Sequence, residues 1–148
     1  MQMTTSWTCD VCGEDSVTAD NGYVVWDMDR ETMEDHSFSI IHQSRCDDDT
    51  MASSSPLAEF LGPDGLANLT SLLSLGPVMM KRESRDRPPP KDMTQFIDFF
   101  RRLQLPGYEQ ARPNFQTEVA YERLYDASEL YPYLQTNLDW IADLDPDY

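Results

Sequence analysis

The sequence predicts an α+β protein: a small β-hairpin module over residues 1–50, stapled by a Cys/His cluster, then an all-helical module over residues 51–148. Three observations carry that prediction. Cys9-x2-Cys12 and His42-x3-Cys46 use every cysteine in the chain and one of its two histidines. Between those pairs lie two short runs rich in β-branched and aromatic residues. From Ser55 onward, apolar residues recur at helical spacing, punctuated by prolines and glycines.

The cluster comes first. Thiolate sulfur and imidazole nitrogen are the preferred donors of Zn2+, which takes four of them in a tetrahedron. A Cys-x2-Cys knuckle aims both sulfurs at one point, and Gly13 follows where such a knuckle needs a positive φ. His42 and Cys46 are four apart, so one face of a short helix would present both. The predicted metal ligands are therefore Cys9, Cys12, His42 and Cys46. His36, in the acidic turn Met33-Glu34-Asp35-His36, competes for the fourth place. Cys-x-x-Cys is also a redox pattern, but that setting needs a strand before it and a long helix after it, and here a glycine and acidic residues follow. Four protein donors leave no position for a catalytic water, so the expected role of Zn2+ is structural and no catalytic residue is assigned. So few large apolar residues in the first fifty make a metal staple the expected source of stability.

Taken in order, Gly22–Trp26 reads as a strand, residues 30–35 as a polar turn and Ser37–Ile41 as the second strand. Knuckle, hairpin and helical ligand pair follow the order of a treble-clef finger, with a zinc ribbon as the alternative. The polar run Asp47–Ser55 marks the expected module boundary. Ser55–Gly62 reads as a short helix with a first-turn proline, and Pro63 opens another through Leu66, Leu69, Leu72 and Leu73. Residues 81–91 hold five of the eleven basic residues and Pro88-Pro89-Pro90, which predicts an exposed, extended connector or a docking strip. Asp92 and Gln95 form a capping-box pattern ahead of the stripe Met93, Phe96, Ile97, Phe100 and Leu103, with Arg101 and Arg102 complementing the helix dipole. Pro106 ends that helix, and residues 109–112 add a turn. Asn114 leads a longer helix through Phe115, Val119, Leu124 and Tyr125. After Pro132, Leu134, Leu138 and Ile141 mark the last one.

The 148 residues carry a net charge of −16. Residues 1–50 hold twelve acidic and two basic side chains, and residues 103–148 hold nine and two, whereas residues 51–102 are close to neutral. Both ends oppose a phosphate backbone, so direct nucleic-acid binding is not expected despite the finger-like cluster. The acidity reads as solubility or adaptation to salt, or as imitation of DNA toward a basic groove on a partner. No run reaches the ~18 apolar residues of a membrane span. The start Met1–Thr8 is polar and uncharged, which predicts no secretory leader and a cytoplasmic protein.

Trp7-x-Cys9-x2-Cys12-Gly13, Gly22-Tyr23 and His42-x3-Cys46, together with Arg101-Arg102-Leu103-x-Leu105-Pro106-x-Tyr108-Glu109-x-Ala111-Arg112, resemble small zinc-finger proteins of actinobacterial genomes, their phages and mobile elements. The resemblance implies a phage or mobile-element setting and brings no activity with it. The chain lacks a phosphate-binding glycine loop, a nucleophile elbow and a catalytic histidine cluster. The expected function is a non-enzymatic adaptor or regulator that binds a host or phage protein. An acidic DNA-mimic inhibitor and an enzyme of unrecognised type are the alternatives.

Overall fold

The computed structural model describes residues 3–47, 49–82 and 85–147. The architecture is α+β, with a three-stranded antiparallel sheet followed by helices. The strands are β1 (Gly22–Met28), β2 (Asp35–His42) and β3 (Ser53–Pro56), in the order β2-β1-β3. The helices are α1 (Gly62–Ser71), α2 (Gly76–Met79), α3 (Met93–Gln104), α4 (Tyr108–Ala111), α5 (Glu118–Leu124) and α6 (Gln135–Ala142). No helix among the described residues is long and apolar enough to cross a membrane.

The hairpin forms where the sequence predicts it. Tyr23 faces Ile41 and Val24 faces Ile40, and the register shifts between Val25 and Asp27. The turn is built by Asp29, whose Oδ1 accepts from the N–H groups of Glu31 and Thr32 while Met33 takes φ 64°. β3 was not expected. A serine run has little strand propensity, but β1 has a second hydrogen-bonding edge, and Ser53–Pro56 pairs along it from Trp26 to Tyr23. The residues after it form a single 3-10 turn, Leu57–Phe60, rather than a helix to Gly62.

The outer edge of β2 is covered by side chains and loops. Gln95 clamps Phe38, its Oε1 accepting from the Phe38 N–H at 3.2 Å and its Nε2 donating to the Phe38 carbonyl at 2.7 Å. Asp10 does the same for Ile40, through its own N–H (2.8 Å) and its Oδ2 (2.7 Å). The capping box at α3 is thus half formed. Asp92 Oδ1 accepts from the Gln95 N–H at 3.1 Å, but the Gln95 side chain is spent on the sheet.

The chain divides into two compact units, and the division is not at residue 50. One is Thr5–Gln104; the other is built on the chain from Leu105, with Met3 and Thr4. The reason is the core. Phe38 on β2 stacks on Phe99 and meets Phe96 edge-on, with centroids 5.1 and 5.0 Å apart, so α3 joins the hairpin instead of a separate helical module. Trp7, Ile40, Leu57, Phe60, Leu69 and Leu103 complete this core. Residues 81–91 therefore connect α2 to α3 within one unit. Most of the described residues there are exposed, but Pro90 is buried. Asp86 accepts from Ser74 Oγ and the Leu75 N–H, and Lys91 Nζ lies 2.8 Å from Asp29 Oδ2.

In the second unit Tyr108, Ala111, Leu138 and Ile141 form the buried centre. The helix expected from Asn114 starts later, capped by Thr117, whose side chain accepts from the Ala120 N–H. Asn114 instead closes α6: its Nδ2 donates to the carbonyls of Ile141 (2.9 Å), Ala142 (3.4 Å) and Leu144 (3.0 Å).

Candidate metal centre

Three short segments of the first unit carry the predicted ligands, and the fold brings all four together. The donor atoms of Cys9, Cys12, His42 and Cys46 lie within 4.8 Å of one another. His42 Nδ1 is 3.5 Å from Cys12 Sγ and 3.7 Å from Cys46 Sγ. A tetrahedron with metal–sulfur bonds of ~2.3 Å and a metal–nitrogen bond of ~2.0 Å sets its donors roughly 3.5–3.8 Å apart, so this donor set fits a metal ion such as Zn2+.

The knuckle forms as the sequence suggests. The Gly13 N–H donates to the Cys9 carbonyl at 2.9 Å, and Gly13 has φ 78°. An isolated bridge between buried Trp7 and Val17 closes the loop behind it. The second pair departs from expectation. Cys46 N–H reaches the His42 carbonyl at 3.2 Å, but Ser44 has φ 65°, so residues 43–46 are a turn and not the short helix of a treble-clef finger. His42 is the last residue of β2. His36 lies in the same strand, opposite Asp27, outside the cluster and paired with Ser37 Oγ through Nδ1 at 2.8 Å. The acidic turn ends before it.

The surroundings suit thiolate ligands unequally. Burial pushes the Cys9 thiol up, but N–H groups of Cys12, Val11 and His42 aimed at its sulfur outweigh that and bring it down to about 6. Cys46 is pushed up to about 11 by burial and by the sulfurs of Cys9 and Cys12. A divalent ion held there would remove the conflict by taking all three as thiolates. Three thiolates around a divalent ion leave a net negative charge, and Arg45 answers it: its Nη2 lies 3.5 Å from Cys12 Sγ and 2.5 Å from Glu14 Oε2. His42 Nε2 lies 2.9 Å from Ser16 Oγ, which leaves Nδ1 to the cluster and fixes the ring plane.

Sequence reasoning missed Ser16, Arg45 and above all the pair Asp10–Arg102. Asp10 sits inside the knuckle, and Arg102 reaches it from the last turn of α3. The same guanidinium donates to the Thr8 carbonyl at 2.9 Å, while Trp7 Nε1 donates to the Arg102 carbonyl at 2.8 Å. Nothing local in the sequence marks a contact across 92 residues.

Comparison with known protein families, with characterised proteins and with solved structures gave no match. The fold and the donor set define the class on their own: a small α+β protein with a Cys3His cluster beside a β-hairpin, close enough to hold a metal ion.

Proposed function

We propose that this chain is a non-enzymatic protein-binding protein, an adaptor or regulator, in which one structural Zn2+ held by Cys9, Cys12, His42 and Cys46 fastens the knuckle to the sheet. The observation that carries the reading is the donor set itself. Four side chains within 4.8 Å fill a tetrahedron and leave an ion no open position for water or substrate. The net charge of −16 favours a basic protein surface over nucleic acid as partner. The same acidity supports a second reading, in which the protein occupies the nucleic-acid groove of a host or phage enzyme.

Elemental analysis of protein purified without added metal tests the site. About one zinc per chain is expected, lost in Cys12→Ser and unchanged in His36→Ala. Metal-free protein, or a site emptied by His36→Ala, overturns it. Affinity capture of host proteins at low and high salt, with DNA as competitor, tests the function. A partner displaced by DNA and lost at high salt supports the decoy; one that persists supports the adaptor. Salt-dependent binding of the chain itself to duplex DNA at ~150 mM salt overturns both.

A further inference from the structure

The second unit carries a groove that the metal reading does not use. It has a volume of about 270 Å³ and lies between α5, the turns on either side of it and α6. Phe115, Tyr121, Leu124, Tyr125, Tyr133 and Ile141 line it. Tyr121 and Tyr125 are two-thirds exposed, yet their rings stack at 5.7 Å and 23°, so they stand as one ordered aromatic wall. Large exposed aromatics beside a concave apolar surface are the usual anchors of an interface.

Charge says what would seat there. The segment that builds most of the groove, residues 115–133, holds Glu118, Glu122, Asp126 and Glu129 against the single cation Arg123. All four carboxylates are exposed. Arg123 is itself exposed and lies over the Trp140 ring, its guanidinium 4.2 Å from the ring centre, so the rim keeps a net charge of −3. Glu118 and Glu122 fall three residues before and one after Tyr121 on α5, so Glu118 borders the tyrosine wall on the same helical face and Glu122 lies beside it. An apolar aromatic trough with an acidic rim is complementary to a segment that is apolar on one side and cationic on the other. We infer that the groove docks a basic peptide segment of a partner protein, an aliphatic or aromatic side chain entering between Tyr125 and Tyr133 while its Lys or Arg neighbours meet Glu118, Glu122 and Asp126.

This inference rests on the binding-protein reading and locates the binding surface within the second unit. The test is a titration of the isotope-labelled, zinc-loaded full chain with a synthetic amphipathic Leu/Lys peptide, followed by amide chemical shifts. Saturable shifts confined to residues 115–141 are expected. Tyr121→Ser combined with Tyr125→Ser, both at exposed positions, is expected to weaken binding by about tenfold or more, as is replacing the peptide's Leu by Ser. Glu118→Gln with Glu122→Gln is expected to weaken it severalfold and flatten its salt dependence. Shifts spread over the acidic surface of residues 3–50, indifference to the tyrosine variant, or equal binding of a Leu/Glu peptide would overturn the proposal. So would concentration-dependent broadening at the groove without peptide, which would assign it to a second copy of the chain. A natural partner that shifts only residues 5–104 would leave the binding function standing and remove this surface from it. Groove binding that survives in Cys12→Ser protein shows that the surface and the metal fail separately.

Discussion

Arg102 Nη1 lies 3.1 and 2.8 Å from the two carboxylate oxygens of Asp10, and this pair ties α3 to the metal knuckle. Arg102 is 2 % exposed, so its charge is desolvated and depends on that partner and on the Thr8 carbonyl. Removing Asp10 would strand the buried guanidinium. Removing Arg102 takes its charge-assisted hydrogen bonds from the knuckle while Asp10, about a quarter exposed, keeps water and the Ile40 N–H, at a cost of about 2 kcal/mol. Arg102→Ala is expected to lower the denaturant midpoint accordingly. Arg102→Lys keeps the charge but loses the fork, and should recover only part of the stability. Equal stability of Arg102→Ala and wild type in chemical denaturation would contradict this account.

The thiols predict a pH profile for chelated, reduced protein. Cys9 is depressed from 9.0 to about 6, so it contributes stability that is complete above 9 and lost as pH falls through 6. Cys46 is raised from 9.0 to about 11, so its contribution is complete below 9 and lost as pH rises through 11. The melting temperature of the metal-free protein should therefore rise from pH 6 to 9 and fall toward 11. Cys9→Ser should flatten the acid side. A profile unchanged by Cys9→Ser would mean that the N–H groups around this sulfur do not stabilise its thiolate.

Gly65→Ala reverses the usual helix rule. Alanine in a helix interior is better than glycine by ~1 kcal/mol. Here a Cβ on Gly65 would stand 2.1 Å from the Phe60 carbonyl carbon and 2.4 Å from its oxygen, and backbone cannot step aside as a side chain can. The substitution is expected to destabilise by about 2 kcal/mol or more, measured by thermal melting.

Asn114→Ala takes the side-chain donor from the Leu144 carbonyl and leaves the Ile141 carbonyl to backbone N–H groups alone at the end of α6. The expected loss is about 1–3 kcal/mol. Hydrogen exchange should show it first in residues 135–142, while the knuckle and sheet stay protected.

The ligands, the hairpin and part of the α3 stripe could be read from sequence because each is a local pattern; Met93 of the expected stripe is exposed, and the buried face of α3 takes in Phe99 and Arg102 instead. Cys-x2-Cys-Gly makes a knuckle on its own, and Phe96 and Leu103 repeat at helical spacing. The missed parts are those decided at a distance. Ser53–Ser55 became a strand because β1 had an unpaired edge. Gln95 left its capping box because Phe38 presented an unpaired N–H and C=O. The expected boundary at residue 50 did not hold because the aromatic faces of β2 and α3 bury each other.

The rim of β2 gives the candidate metal site a second importance. The outward backbone groups of Phe38 are held by Gln95, those of Ile40 by Asp10, and those of His42 by Cys9 Sγ and the Cys46 N–H. Two of these three covers belong to the ligand loops. If an ion bound there were removed, the cover over His42, made by two of the candidate ligands, would be the one to loosen, leaving an edge rung on which a strand of another molecule could pair. Loss of metal is then expected to loosen the cover over His42 first, while Gln95 still holds Phe38 and Asp10, anchored by Arg102, still holds Ile40.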